Sequence, residues 1–138
     1  MQLLTPILRG SFFAIALAAC LTGCSEPIAH DEEMAAKRAL EFAEVALIKQ
    51  DFDAAYALLS NKAKSYVPVE KFKETIRRLH PQGYPLTVRT TGFKPMTDEK
   101  AIYIYLSADT ADGQFHYTLT LTGTAASDYQ VSVVARTL

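Results

Sequence analysis

The spacing of apolar residues divides the chain after residue 30 into a helical half and a strand half. Over residues 31–80, apolar residues recur at the three- and four-residue intervals of amphipathic helices, as at Phe72 and Ile76. Asp31 is placed to cap the first helix, and Pro81 marks where the last helix must stop. The pattern therefore predicts two or three helices in this half.

Four later segments alternate apolar and polar residues with the two-residue period of half-buried strands, at 85–93, 101–109, 114–123 and 129–137. Turn-forming residues such as Asp112-Gly113 separate them. Short connections of this kind predict a four-stranded antiparallel meander with the helices on its apolar face. The expected fold is a single α+β domain over residues 32–138.

The alternation also assigns side chains to the two faces of the sheet. The inner, helix-facing side is predicted to carry Leu86, Val88, Ile102, Ile104, Leu106, Phe115, Tyr117, Leu119, Leu121, Tyr129, Val131 and Val133. The outer side is predicted to carry Thr87, Arg89, Tyr103, Tyr105, His116, Thr118, Thr120, Gln130, Ser132 and Arg136.

The order of helices followed by a four-stranded meander resembles the nuclear transport factor 2-like superfamily, a cone-shaped, cystatin-like α+β fold. Within residues 49–79 the resemblance rests on an acidic start to the second helix, the run Ala55-Tyr56-Ala57-Leu58-Leu59-Ser60, and the Glu-x-Phe-Lys start of the third. It covers about residues 32–138 and includes no catalytic signature. It implies a curved sheet, an interior that other members use as a pocket, and dimerisation through the sheet.

The N-terminal residues have the features of a secretory signal peptide. Arg9 precedes a stretch from Ser11 to Thr22 that carries no charge. This stretch is shorter than the roughly 20 residues that a membrane-spanning helix needs. These features predict a signal peptide over residues 1–23.

The stretch ends in Leu21-Thr22-Gly23-Cys24, which resembles the bacterial lipoprotein box. The resemblance implies cleavage before Cys24, a diacylglyceryl group on its thiol, and loss of Cys20 with the leader. It also implies, from Ser25 at the next position, the periplasmic face of the outer membrane if the cell is Gram-negative. Alternatives are an uncleaved apolar helix with a chance ending, or a disulfide or metal pair. Two cysteines without a nearby histidine fall short of four metal ligands.

Residues 24–31 are predicted to form the lipidated cysteine and a short tether. The six residues 25–30 span roughly 20 Å when fully extended, at ~3.3–3.6 Å each. The domain is therefore expected to work close to a membrane surface.

The charge balance argues against nucleic-acid binding. Fourteen Lys and Arg face fifteen Asp and Glu, for a net charge of −1. The basic residues are scattered, whereas phosphate recognition needs clustered Lys and Arg.

The predicted interior offers little acid–base chemistry. The acids of the strand half lie at strand ends or turns, and the histidines are expected in the tether (His30), at a helix end (His80) and on the outer face (His116). The polar groups expected inside are the phenols of Tyr56, Tyr117 and Tyr129. They could contact a ligand, or be core aromatics whose hydroxyls find a partner. No catalytic residue, metal site or cofactor is expected.

The outer face is the other candidate surface. Tyr103, Tyr105 and His116 could form a patch with Arg89 and Arg136, and aromatic residues beside arginine are typical of interface hot spots. Tyrosine and threonine also simply suit exposed sheet faces.

Taken together, the lipoprotein box, the interior and the outer face lead us to expect a non-catalytic, lipid-anchored envelope protein that binds a protein or another envelope component. The alternatives are a carrier of a small apolar ligand, and a lyase- or isomerase-like enzyme.

Overall fold

The computed structural model describes Gly23 and residues 26–137. The lipoprotein-box residues Leu21, Thr22 and Cys24 lie outside the described residues. The elements are α1 (Glu32–Ala43), a π-helical turn (Glu44–Ile48), α2 (Phe52–Ala57), α3 (Asn61–Tyr66), α4 (Val69–Arg78), β1 (Thr87–Pro95), β2 (Ala101–Thr110), β3 (Gly113–Thr122) and β4 (Gln130–Thr137).

The predicted α+β class is confirmed, with four α-helices beside one antiparallel sheet of order β1-β2-β3-β4 over the described residues. None of the helices within residues 26–137 is long and apolar enough to cross a membrane.

Side-chain caps fix where three of the helices begin. The Asp31 carboxylate accepts the Met34 N–H at 2.9 Å, which confirms the predicted cap of α1. Asp51 and Ser60 cap α2 and α3 in the same way, accepting from residues three positions later.

Helix α1 lies across all four strands and forms the core with the inner face of the sheet. The core joins small residues of α1 to branched and aromatic residues of the strands. Its largest fully buried members include Phe42, Leu47, Ile76, Ile102, Ile104, Leu106, Tyr117, Leu119, Leu121 and Val131. Alanines on α1, such as Ala35 and Ala39, let the helix approach the strands closely.

A β-bulge in β4 changes which residues face the core. Leu121 pairs with Val131 but Thr120 pairs with Val133, so Ser132 is an extra residue in β4. Val133 was expected inside; the extra residue turns it outward, where it is 54% exposed. Val134 takes the inner position, opposite Leu119.

The expectation for Leu86 is also wrong. It precedes β1, lies outside the regular pairing of the sheet and is 68% exposed.

Candidate functional site

Four of the five residues predicted for the outer face lie together on that face. Arg89 is paired with Ser107, which in turn is paired with His116. Tyr105 and Tyr103 continue the same face of β2 at two-residue intervals. The two tyrosines are half-buried, while Arg89 and His116 are exposed. We call Arg89, Tyr103, Tyr105 and His116 the outer patch.

Arg89 is held at one end of the outer patch by Asp109. Its Nη1 lies 2.8 Å from Oδ2 of Asp109, which also accepts from the Thr87 hydroxyl. The pKa of Asp109 is lowered by hydrogen bonds, first from the Gln114 amide and then from Thr87 and Arg89. The carboxylate is therefore ionised at neutral pH and neutralises the arginine locally.

The fifth residue, Arg136, does not belong to the outer patch, which corrects the sequence prediction. The bulge at Ser132 shifts the phase of β4, so Arg136 pairs with the inward-facing Tyr117. Its guanidinium carbon lies 3.5 Å from the centre of the Phe115 ring, and Nη1 donates to the Leu79 carbonyl oxygen. Arg136 thus joins β4 to the C-terminal end of α4.

His80 is buried beside Arg136, contrary to the expectation that no histidine lies inside. It is 5% exposed and is stacked against Tyr84, with ring centres 4.7 Å apart. Its Nε2 lies 2.7 Å from the Tyr117 hydroxyl, and its Nδ1 lies 2.6 Å from the carbonyl oxygen of Ile76. The sequence contained this signal, because Phe72, Ile76 and His80 follow one another at four-residue intervals, so His80 continues the buried face of α4 just beyond its end at Arg78.

The hydrogen bonds fix the tautomer of His80. The Ile76 carbonyl can only accept, so Nδ1 carries the hydrogen and Nε2 of the neutral ring accepts from Tyr117. Burial lowers the pKa of His80, and the positive charge of Arg136 lowers it further. Burial raises the pKa of Tyr117 to about 12. Both groups are therefore neutral near pH 7 and form a buried hydrogen-bonded pair.

The three tyrosines predicted as a pocket are not brought together, and each hydroxyl has its own partner in the protein. Tyr56 donates to the Val67 carbonyl at 2.8 Å. Tyr117 bonds to His80, as described above. Tyr129 accepts the Asp31 N–H at 2.8 Å and lies 3.2 Å from Nδ1 of His30.

The residues just before α1 are attached to one end of the sheet. His30 Nε2 lies 3.1 Å from the Met96 carbonyl oxygen, and Ala125 N–H donates to the Ala29 carbonyl at 2.9 Å. Ile28 N–H lies 3.4 Å from the Thr97 carbonyl oxygen. The attachment lies at the end that carries the β1–β2 and β3–β4 turns, so the chain enters the domain there.

An apolar groove of about 240 Å³ opens between α3, α4 and β4. Its walls include Ala63 of α3, Val67 directly after α3, Phe72 and Ile76 of α4, and Val134 of β4. None of the residues that line it is charged. No local pattern in the sequence predicts this groove, because its third wall depends on the bulge that turns Val134 inward.

Among residues 26–137, no group of three or more His, Cys, Asp or Glu side chains is placed to hold a metal ion. No protein family, curated protein or solved structure matches this chain.

Proposed function

We propose that the chain is a lipid-anchored protein of the bacterial cell envelope whose domain binds a protein or another envelope component close to the membrane. The observation that carries the proposal is Leu21-Thr22-Gly23-Cys24 at the end of an uncharged apolar stretch. The lipid is a diacylglyceryl group on the Cys24 thiol, and two acyl chains give stable attachment where one chain gives only marginal binding.

The attachment of residues 28–31 to the sheet supports a close approach to the membrane. With Ile28 bonded to Thr97 and Ala29 bonded to Ala125, only residues 25–27 separate Cys24 from the domain. Three residues span at most ~11 Å. This is about half the reach expected from the sequence alone, and it turns the end of the sheet with the β1–β2 and β3–β4 turns towards the lipid.

The cone shape of the nuclear transport factor 2-like superfamily belongs to the same proposal. Its support is the order of four helices and a four-stranded antiparallel sheet, together with bulges in β1 and β4, which bend strands. Solution scattering or an experimental structure that found a flat, open sheet would contradict it.

The outer patch is the surface that this proposal assigns to the binding partner. It combines two half-buried tyrosines with an exposed histidine and an arginine on the outer face of the sheet, and aromatic anchors beside arginine are typical of binding hot spots. A second copy of the chain, packed through the same face, is the alternative occupant. Sedimentation of the purified protein separates the two, because only self-association depends on its own concentration.

The anchoring is tested by expressing the full chain in a bacterium supplied with labelled palmitate and then fractionating the cells. The wild type is expected to carry label and to sediment with membranes, and Cys24→Ser is expected to lose the label and to retain its leader. Cys20→Ser is the matched control, because it removes the other cysteine four positions earlier and should keep both label and membrane attachment. An unlabelled wild type, or a labelled Cys24→Ser, contradicts the proposal.

A further inference from the structure

Strand β4 is an edge of the sheet that has a bulge at Ser132 but neither a charge nor a proline over residues 130–135. Edge strands that must not pair with other chains commonly carry charges, prolines or bulges. The opposite edge, β1, has Arg89, Lys94 and Pro95. In β4, by contrast, the residues from Gln130 to Ala135 carry no charge at all.

The protein's own chain pairs with only the beginning of this edge. Ser60 N–H donates to the Val131 carbonyl at 2.8 Å, and Leu59 forms a parallel bridge with Val131. The chain then turns away because α3 begins at Asn61. Apart from the ladder with β3, residues 132–137 make no backbone–backbone hydrogen bond to the described part of the chain.

The apolar groove lies beside this unpaired edge. Leu59 lies at its start, and its wall continues through α3, the residue after α3, and α4, with Ala63, Val67, Phe72 and Ile76. Val134 of β4 forms the opposite wall. An extended segment that continued the line of Leu59 and Ser60 would have the backbone of β4 on one side and apolar side chains below it.

We propose that the β4 edge and the groove together bind an extended, uncharged apolar segment of another protein, which adds to the sheet as a fifth strand running parallel to β4. Backbone hydrogen bonds to β4 would supply the affinity, and alternate side chains of the segment would enter the groove. The parallel direction follows from the bridge between Leu59 and Val131, which already sets this direction at the start of the edge.

The geometry favours such a segment over a second copy of β4. Two identical strands related by a two-fold axis perpendicular to the sheet pair antiparallel, and Leu59 and Ser60 occupy the start of the edge that such a pair would need. The absence of charge along the edge and the groove favours an apolar partner over a charged one. The inference does not rest on the lipid anchor, because the groove is complete within residues 59–134.

The test uses the purified full chain in detergent and a phage-displayed library of random ten-residue peptides. We expect the enriched peptides to be uncharged and to share apolar residues at alternate positions. Thr75→Arg places a long charged side chain at the groove from an exposed position on α4, and it should weaken binding of a synthetic enriched peptide at least ten-fold. Ser65→Arg is the matched control, since it adds the same charge at an exposed position on α3 outside the groove and should leave binding unchanged.

Backbone pairing is tested with two further versions of the same peptide. One carries N-methyl groups on its odd-numbered amides and the other on its even-numbered amides. Because alternate amides of a strand point to opposite sides, one version should lose binding and the other should keep it.

Several results would overturn the proposal. They are a library that enriches no peptide, an affinity insensitive to Thr75→Arg, and equal binding of the two methylated peptides. A dimer of the full chain that Thr75→Arg dissociates would make a second copy the occupant. A small apolar molecule that co-purifies in the groove, seen by native mass spectrometry and lost in Thr75→Arg, would make the groove a ligand site.

Discussion

The hydroxyl group of Tyr117 and Nε2 of His80 lie 2.7 Å apart, so a single hydrogen bond joins strand β3 to the residue that follows the last turn of α4. Both side chains are almost fully buried. With Nδ1 of His80 bonded to the Ile76 carbonyl, each polar atom of the pair is satisfied.

Tyr117→Phe should destabilise the domain by about 1–3 kcal/mol, because it leaves the acceptor Nε2 of His80 buried without a donor. Urea unfolding followed by circular dichroism measures the loss. Tyr105→Phe is the matched control; its hydroxyl lies on the outer face without a hydrogen bond to the described residues, and a change within about 0.5 kcal/mol is expected. Equal losses in the two variants would contradict the assigned role of the pair.

The stability should fall as the pH drops below about 6.5, because His80 is buried in its neutral form. Its folded-state pKa is lowered by burial and by Arg136, so the unfolded chain takes up the proton first. The groups facing the ring, the phenols of Tyr84 and Tyr117 and the guanidinium of Arg136, offer no negative charge to stabilise an imidazolium. The contribution of His80 is fully present above the unfolded-state pKa and is lost as the pH falls through the folded-state pKa.

The measurement is the free energy of unfolding at several pH values between 4.5 and 8, a range chosen to bracket the ordinary histidine pKa of about 6.5. The slope due to one such group is at most about 1.4 kcal/mol per pH unit. His80→Gln should remove this part of the slope, whereas His116→Gln, which changes an exposed histidine, should retain it. A wild-type slope that His80→Gln leaves unchanged would exclude His80 as the cause.

The sequence predicts most of the fold because its local signals agree with the final packing. The Asp31 cap, the stop before Pro81 and the alternation in β2 and β3 each follow from the chemistry of a few neighbouring residues. Tyr103, Tyr105 and His116 were placed on the correct face for the same reason, since β2 and β3 pair without interruption.

The errors come from features that depend on distant partners. A bulge is decided by the pairing of β4 with β3, and strict alternation through Ser132 therefore put Val133 inside and Arg136 outside. The adjacent valines at 133 and 134 were the local sign of a phase change. His80 is a different case: it was assigned only to a helix end, although its four-residue spacing to Ile76 is a local sign of its interior position.

Arg136→Lys tests the corrected position of this side chain. The planar guanidinium lies over Phe115 and also donates to the Leu79 carbonyl, and a lysine ammonium cannot do both. We expect a loss of about 1 kcal/mol in the free energy of unfolding. Arg89→Lys on the outer face should cost less, because that arginine is exposed and its ion pair with Asp109 is open to solvent.

Neighbouring residues of β2 test the assignment of the two sheet faces. Ile104→Ala removes a fully buried side chain and should cost about 2–4 kcal/mol. Tyr105→Ala changes a half-buried residue on the opposite face and should cost less than about 1.5 kcal/mol.

If the outer patch is the binding surface, Tyr105→Ala should also lower the yield of a site-specific crosslink formed from the patch in intact cells. Ile104→Val, which stays in the core, should leave that yield unchanged.

Tyr129→Phe tests how firmly the chain that leads to Cys24 is attached to the domain. The hydroxyl of Tyr129 accepts the Asp31 N–H and lies within hydrogen-bonding distance of His30, so its removal leaves both groups without that partner. We expect amide hydrogen exchange at residues 28–31 to become at least ten-fold faster, with a loss of only about 1 kcal/mol in global stability.

Tyr103→Phe, on the outer face, is the control and should not change exchange in this segment. If residues 28–31 exchange as slowly in Tyr129→Phe as in the wild type, the attachment does not depend on this hydroxyl. If they exchange freely in the wild type, the separation between Cys24 and the domain returns to the roughly 20 Å of an extended six-residue tether.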